Sequence, residues 1–194
     1  MTRWLRAATG GVILCLLMQL LGFVGACEEL RDSTVRLHVL AHSDSDADQA
    51  LKLKVRDAVT AAAADLLADT DSHDEALAVL EASLPTLTAT AQQTVYAAGY
   101  TYPVRAELTE MYFTTREYDS GTFPAGTYDA LRVSIGDAKG RNWWCVVYPP
   151  LCVSAATKPD TTATPLTDRQ TKVTKTPKYA VRFKFVEWLT SLFG

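Results

Sequence analysis

The sequence predicts an α+β fold: one early strand, a helical block, then a three-stranded antiparallel meander, with an N-terminal signal or anchor and a flexible C-terminal tail. Three observations lead there. Apolar residues alternate with period two in TVRLHVLA and again from Tyr102 onward. Between those stretches the apolar spacing is three to four, the helical period. The chain has 194 residues, 48% hydrophobic and 21% charged, which suffices for one core plus appendages and not for two large domains. A formal charge of −3 supplies no electrostatic reason to expect nucleic acid as a partner.

The organisation that follows has four parts: an export signal or membrane anchor over 1–27, a folded domain over 33–153, a linker over 154–178 and an amphipathic segment over 179–194. At the amino end, Arg3 and Arg6 precede an uncharged run from Ala7 to Cys27, and Glu28 and Glu29 follow. That order is the one found in export signals. Val24 and Ala26 suit cleavage before Cys27, yet the run is also long enough to stay as a membrane span, and VGAC resembles a lipidation box at Cys27. All three readings place the rest of the chain outside the cytoplasm.

Within the domain, Val35, Leu37, Val39 and Ala41 share one side of a strand, and Arg36, His38, Leu40 and His42 share the other. HSDSDADQ then opens a helix capped by Ser45 or Ser43 with carboxylates in its first turn. Leu51, Val55, Ala58, Ala62 and Leu66 form its buried face, and Lys52, Lys54 and Arg56 are left to solvent. Ser72 and Glu75 make a capping box for a second helix that Pro85 should end. A third helix is expected from about Leu87 to a left-handed cap at Gly99.

Three strands come next: one from Tyr102 through Tyr118, one over YDALRVSI and one over WWCVVY, with DSGTFPAGT as a loop and GDAKGRN as a hairpin turn. Trp143 and Trp144 must point to opposite faces, one into the core. Residues 154–178 are rich in Thr, Lys, Pro and Asp and read as a mobile linker. The last stretch, YAVRFKFVEWLTSLFG, regains an apolar side as a helix.

Outside the export segment the chain keeps only Cys145 and Cys152, in WWCVVYPPLCV. The Pro-Pro pair between them should reverse the chain and bring the thiols together. A disulfide there would add roughly 2–3 kcal/mol through the closed loop; two buried free thiols are the alternative.

The stretch RLHVLAHSDSDADQ has the look of a metal site. Asp44, Asp46 and Asp48 match the first ligand positions of a calcium loop, but Gln49 stands where a glycine must turn and Val55 where a glutamate must close the shell. His38 and His42 on a strand would be about 13 Å apart. Capping residues and half-exposed strand histidines account for the pattern without a metal, and no cofactor is expected. The triplet at Asp119, Ser120 and Gly121 resembles that of an aspartic protease, yet it sits in a turn without a partner aspartate. No nucleophile elbow, zinc-protease helix or phosphate-binding glycine loop occurs, so no enzyme is indicated.

VRLHVLAHSDSDADQALKLKVRDAV, PVRAELTEMYFTTREY, FPAGTYDALRVSIGDAKGRNWWCVVYPPLC and VRFKFVEWL together resemble the stage II sporulation protein R family of endospore-forming bacteria. The likeness covers most of residues 35 to 153 and departs in the helical middle, in the Thr/Lys linker and at His42, where asparagine would be expected. It implies a signal made in the forespore and exported to the space between forespore and mother cell. There it would activate a membrane-embedded aspartic protease, which cleaves the precursor of mother-cell sigma factor E. The expected contacts are residues 43–48, with Ser43, Asp44, Ser45, Asp46 and Asp48, and the 143–152 hairpin with Trp143 and Trp144. Two other classes compete. One is a secreted cell-wall hydrolase using His38, Asp44 or Asp46; the other is a passive lipoprotein attached through Cys27.

Overall fold

The structure, a computed structural model, describes residues 2–118 and 121–150. The linker over 154–178, the segment over 179–194, Cys152, Asp119 and Ser120 lie outside the described residues. In chain order the elements are α1 (Thr2–Asp32), β1 (Val35–Leu40), α2 (Asp46–Leu66), α3 (His73–Ala97), β2 (Val104–Phe113), β3 (Arg116–Tyr118), β4 (Gly121–Phe123), β5 (Gly126–Ile135) and β6 (Asn142–Tyr148).

The α+β class stands, but the late strands do not run as a meander. The main sheet is ordered β2-β5-β1-β6. β1 lies between β5 and β6, parallel to the first and antiparallel to the second, with Leu37 beside both Leu131 and Cys145. A strand buried on both faces belongs in the middle of a sheet, and all six residues of β1 are buried. The parallel pairing with β5 needs a long connection, which α2, α3 and β2 supply. GDAKGRN is therefore a crossing over the end of β1, not a hairpin turn. Only β2 and β5 pair as expected, antiparallel along Val104–Phe113. The expected loop 119–127 contributes β4, which closes a separate two-stranded hairpin with β3.

Helices α2 and α3 cover one face of the sheet. Leu51, Val55, Val59, Ala63, Leu80, Leu87, Ala91 and Val95 meet Val35, Leu37, Val39, Leu131, Val133 and Ile135 there in one continuous core. α3 runs through Pro85 instead of ending at it. The proline removes one backbone hydrogen bond, but Leu80, Leu87, Ala91 and Val95 keep the helical spacing on both sides of it. Burying that face outweighs the lost bond. Gly99 does cap the helix as expected: at φ +86° it lets its own N–H reach Tyr96 O at 2.9 Å and the Tyr100 N–H reach Val95 O at 3.1 Å.

The opposite face is covered by the end of α1 and the β3–β4 hairpin. Leu30, Phe123 and Val146 pack together there, and beside them Phe113, Tyr128 and Ala130. Arg36 and His38 point into this second layer and are as buried as the aliphatic residues they alternate with. The half-exposed reading of His38 is thus corrected: the face that period two assigns to solvent is a second core.

Candidate functional site

The two segments singled out in the sequence, residues 43–48 and the start of β6, meet at the end of β1. There the chain leaves the sheet for α2 through residues 41–45, and the crossing over 136–141 passes directly above it. Backbone donors fasten the layers: Gly140 N–H to Ala41 O at 3.0 Å and Lys139 N–H to His42 O at 3.2 Å. Asp137 N–H reaches His42 Nδ1 at 2.9 Å, and Arg141 N–H reaches Asp44 Oδ1 at 2.6 Å. Two glycines make the close approach possible. A Cβ at Gly136, which has φ +57°, would run into the His42 ring, and one at Gly140 would run into the Ser43 carbonyl.

The aspartates divide into buried and exposed. Ser45 is the N-cap of α2, accepting from Asp48 N–H at 3.2 Å. Asp48 turns inward and is 4% exposed. The Ser43 hydroxyl donates to its carboxylate, and that bond, with help from Ser45, holds the carboxyl below the usual range against the opposing effect of burial. Asp44 and Asp46 stay in solvent. The three aspartates of the apparent calcium loop therefore face different ways, and among the described residues no group of three or more His, Cys, Asp or Glu side chains is placed to hold a metal ion.

Lys52, expected in solvent, is 4% exposed and donates from Nζ to Gln49 Oε1 at 2.6 Å and to Arg141 O at 3.0 Å. Its ammonium thus joins α2 to the crossing, and burial lowers its pKa. His42 lies past the end of β1 and stacks on Tyr102 with ring centroids 4.1 Å apart. What remains on the surface is a rim of mixed charge: Asp44, Ser45 and Asp46 on one side, Asp137, Lys139 and Arg141 on the other. Lys139 Nζ meets Asp137 Oδ2 at 3.0 Å and Arg141 Nε lies 3.6 Å from Asp44 Oδ1.

Trp143 and Trp144 do face opposite ways, but both are half-buried. Trp143 packs against the helix-side core with the Arg56 guanidinium 4.4 Å from its ring. Trp144 stacks flat on His38 at 4.0 Å with Phe113 edge-on at 4.8 Å. His38 Nε2 bonds Asn142 Oδ1 at 2.8 Å, and burial lowers the pKa of the ring. The groups offered for a hydrolase are accordingly split, His38 sealed inside and Asp44 and Asp46 outside. Cys145 is buried in β6 and disulfide-bonded. Cys152, the expected other half of that bond, is outside the described residues.

Sequence reasoning missed the most unusual group. Arg36 is fully buried, with no carboxylate paired to it among the described residues. Its guanidinium donates to Tyr118 Oη at 2.8 Å and lies 4.6 Å from the Phe113 ring and 5.0 Å from that of Tyr128. Desolvation lowers its pKa, and the ring faces stand in for a counter-ion. The only signal in the sequence was its alternation with Val35 and Leu37, which says nothing about rings some eighty residues away.

Comparison with known proteins places this architecture. The family model described as stage II sporulation protein R matches residues 31–158. The stage II sporulation protein R of Bacillus subtilis (strain 168) is 33% identical over 186 residues, covering 84% of this chain and 83% of the relative. No solved structure matches the chain.

Proposed function

We propose a function from one premise: the chain belongs to the stage II sporulation protein R family. It is a sporulation protein, and on our reading it is an exported signal without catalysis of its own. Its folded domain binds the extracytoplasmic side of a membrane-embedded aspartic protease and shifts that protease toward an active, dimeric state. The activated protease then cleaves the precursor of mother-cell sigma factor E.

The observation that carries the contact surface is the meeting of two segments at one end of the sheet. Residues 43–48 and the start of β6 lie far apart in sequence, yet the crossing over 136–141 stitches them into one rim. Its exposed charges of both signs, Asp44, Asp46, Asp137, Lys139 and Arg141, suit a partner recognised by orientation and association rate. The groups beneath, Asp48, Lys52 and His42, hold the rim in shape and do not themselves make contact.

The test is activation outside its normal timing. The exported chain is produced with the candidate membrane protease and the sigma precursor, and precursor cleavage is followed on a gel. Cleavage that requires this chain supports the signalling role. No cleavage, with the chain shown to be exported and folded, rejects it and directs attention to the wall-hydrolase reading.

A further inference from the structure

Strand β2 is one edge of the main sheet, with β5 on its inner side and no described strand on its outer side. Its pairing with β5 runs from Val104–Ile135 to Phe113–Gly126 without a bulge. Between Val104 and Phe113 there is no proline and no lysine either. Natural proteins usually blunt a long edge with one of these devices, because its free N–H and C=O groups are a template for another strand. Only the charges of Arg105, Glu107 and Glu110 stand against pairing, and the register decides whether they do.

The outward-facing residues can be assigned. Gly136 N–H donates to Pro103 O at 2.8 Å, so residue 103 bonds toward β5. In an antiparallel pair the direction alternates, which turns Arg105, Glu107, Thr109, Met111 and Phe113 toward β5 and the even-numbered residues outward. Gln92 of α3 agrees: its side-chain amide accepts from Val104 N–H at 2.9 Å and donates to Tyr102 O at 2.9 Å. That amide takes the place of a neighbouring strand and closes the edge as far as the Val104 N–H. Open beyond it, among the described residues, are the Val104 carbonyl and the backbone groups of Ala106, Leu108, Glu110 and Tyr112. The open stretch is centred on Leu108.

An edge with such a centre can pair with its own copy about a two-fold axis. With Leu108 on the axis, Ala106 falls opposite Glu110, Val104 opposite Tyr112, Glu107 opposite Thr109 and Arg105 opposite Met111. No like charges are face to face, and about eight N–H···O bonds close. Centring on Glu107 or Glu110 would oppose two carboxylates; centring on Thr109 would leave Val104 opposite Thr114, beyond the strand. Ala106 and Leu108 already pack against the helix-side core, and this register continues that core across the axis, Leu108 against Leu108. The Tyr112 side chain, 57% exposed in the single chain, gains Val104 of the other copy as a neighbour.

We propose that two copies of this chain pair edge to edge through β2, antiparallel about a two-fold axis at Leu108, so that their sheets become one. The pairing uses none of the rim residues and does not depend on the signalling role. Where that role holds, the axis presents two rims together to a dimeric protease.

The experiment uses the full chain, made in an exporting bacterium and extracted in mild detergent. The protein mass of the particle is measured by light scattering over a concentration series. Two chains per particle are expected, with a thermal midpoint that rises with concentration. One chain per particle at every concentration overturns the inference, and so does a particle whose second component is a different protein. Variants of β2 separate this pairing from association through α1. Glu110→Pro removes only an outward N–H, and Leu108→Lys sets two ammonium groups across the axis. Each should give single chains that keep the parent's near-ultraviolet spectrum. Two chains per particle from either folded variant overturns the pairing. Leu108→Cys tests the register directly: α-carbons about 5.5 Å apart are within disulfide reach, so oxidation should link two copies at position 108, identified by peptide mass. Absence of that link overturns the proposal even if the other two variants fail to fold.

Discussion

The two faces of β1 solve the same problem with different chemistry. Val35, Leu37 and Val39 meet α2 and α3 through aliphatic contact alone. Arg36 and His38, one residue out of phase, are just as buried but depend on Tyr118, Phe113, Tyr128, Trp144 and Asn142. The first face needs only apolar volume, which many sequences supply. The second needs particular donors, acceptors and rings, because an unmatched polar group in the interior costs more than a missing methylene. Stability is therefore expected to reside mainly on the helix side, and specificity of shape on the other.

The largest effect should come from the helix side. Leu37→Ala or Leu131→Ala removes a fully buried side chain and should cost about 2–5 kcal/mol, read as a lower denaturant midpoint at unchanged slope. On the other side the order of two variants is the informative result. Tyr118→Phe leaves the guanidinium in place and takes away its hydrogen bond, for a loss of about 1–3 kcal/mol. Arg36→Met removes the charge while keeping most of the volume, and should cost less than Tyr118→Phe or even stabilise. If Arg36→Met is instead as damaging as Leu37→Ala, the two faces do not differ in the way described.

Two pH effects sharpen the contrast. The His38 pKa is lowered in the fold by burial, so the unfolded chain takes up the proton first. Its contribution to stability is present above the unfolded value of about 6.5 and declines as pH falls through that value toward the folded one. His38→Asn should remove that decline from a midpoint-versus-pH series. Asp48 also has a lowered pKa, but it is an acid. Its contribution is present above the unfolded value of about 3.9 and is lost as pH drops through the folded one. Asp48→Asn should accordingly be destabilised near neutral pH by about 1–2 kcal/mol and match the parent in strong acid. The smallest effect belongs to the rim, where Lys139→Ala should change stability by less than about 0.5 kcal/mol.

That ranking also marks what the sequence made legible. Local periodicity found β1, the start of α2 and its buried face at Leu51 and Val55, and the caps at Ser45, Ser72 and Gly99, because those depend on neighbours within a turn; further along α2 the buried positions are Val59 and Ala63, while the expected Ala58, Ala62 and Leu66 are half-buried. It placed Trp143 and Trp144 on opposite sides for the same reason. It failed where the deciding partner is distant. The β1–β5 pairing joins Leu37 to Leu131 with no local trace. Lys52 reads as a solvent residue until the Arg141 carbonyl arrives above it. Pro85 reads as a stop because the sheet that rewards continuing the helix lies elsewhere in the chain. The candidate site was half legible: both segments stood out, but their meeting depends on a crossing whose local sequence has the signals of a hairpin turn.

The rim gives the most direct test of the central claim. Asp46→Lys reverses an exposed charge in the first turn of α2 and leaves Ser45, Asp48, the Asp44 link to Arg141 and the buried layers untouched. The measurement is cleavage of the sigma factor precursor by the membrane protease, with this variant and the parent compared at matched expression and with thermal midpoints recorded. The account predicts a folded, exported variant that no longer promotes cleavage. Undiminished cleavage from that variant would contradict it and move the contact surface away from the end of β1.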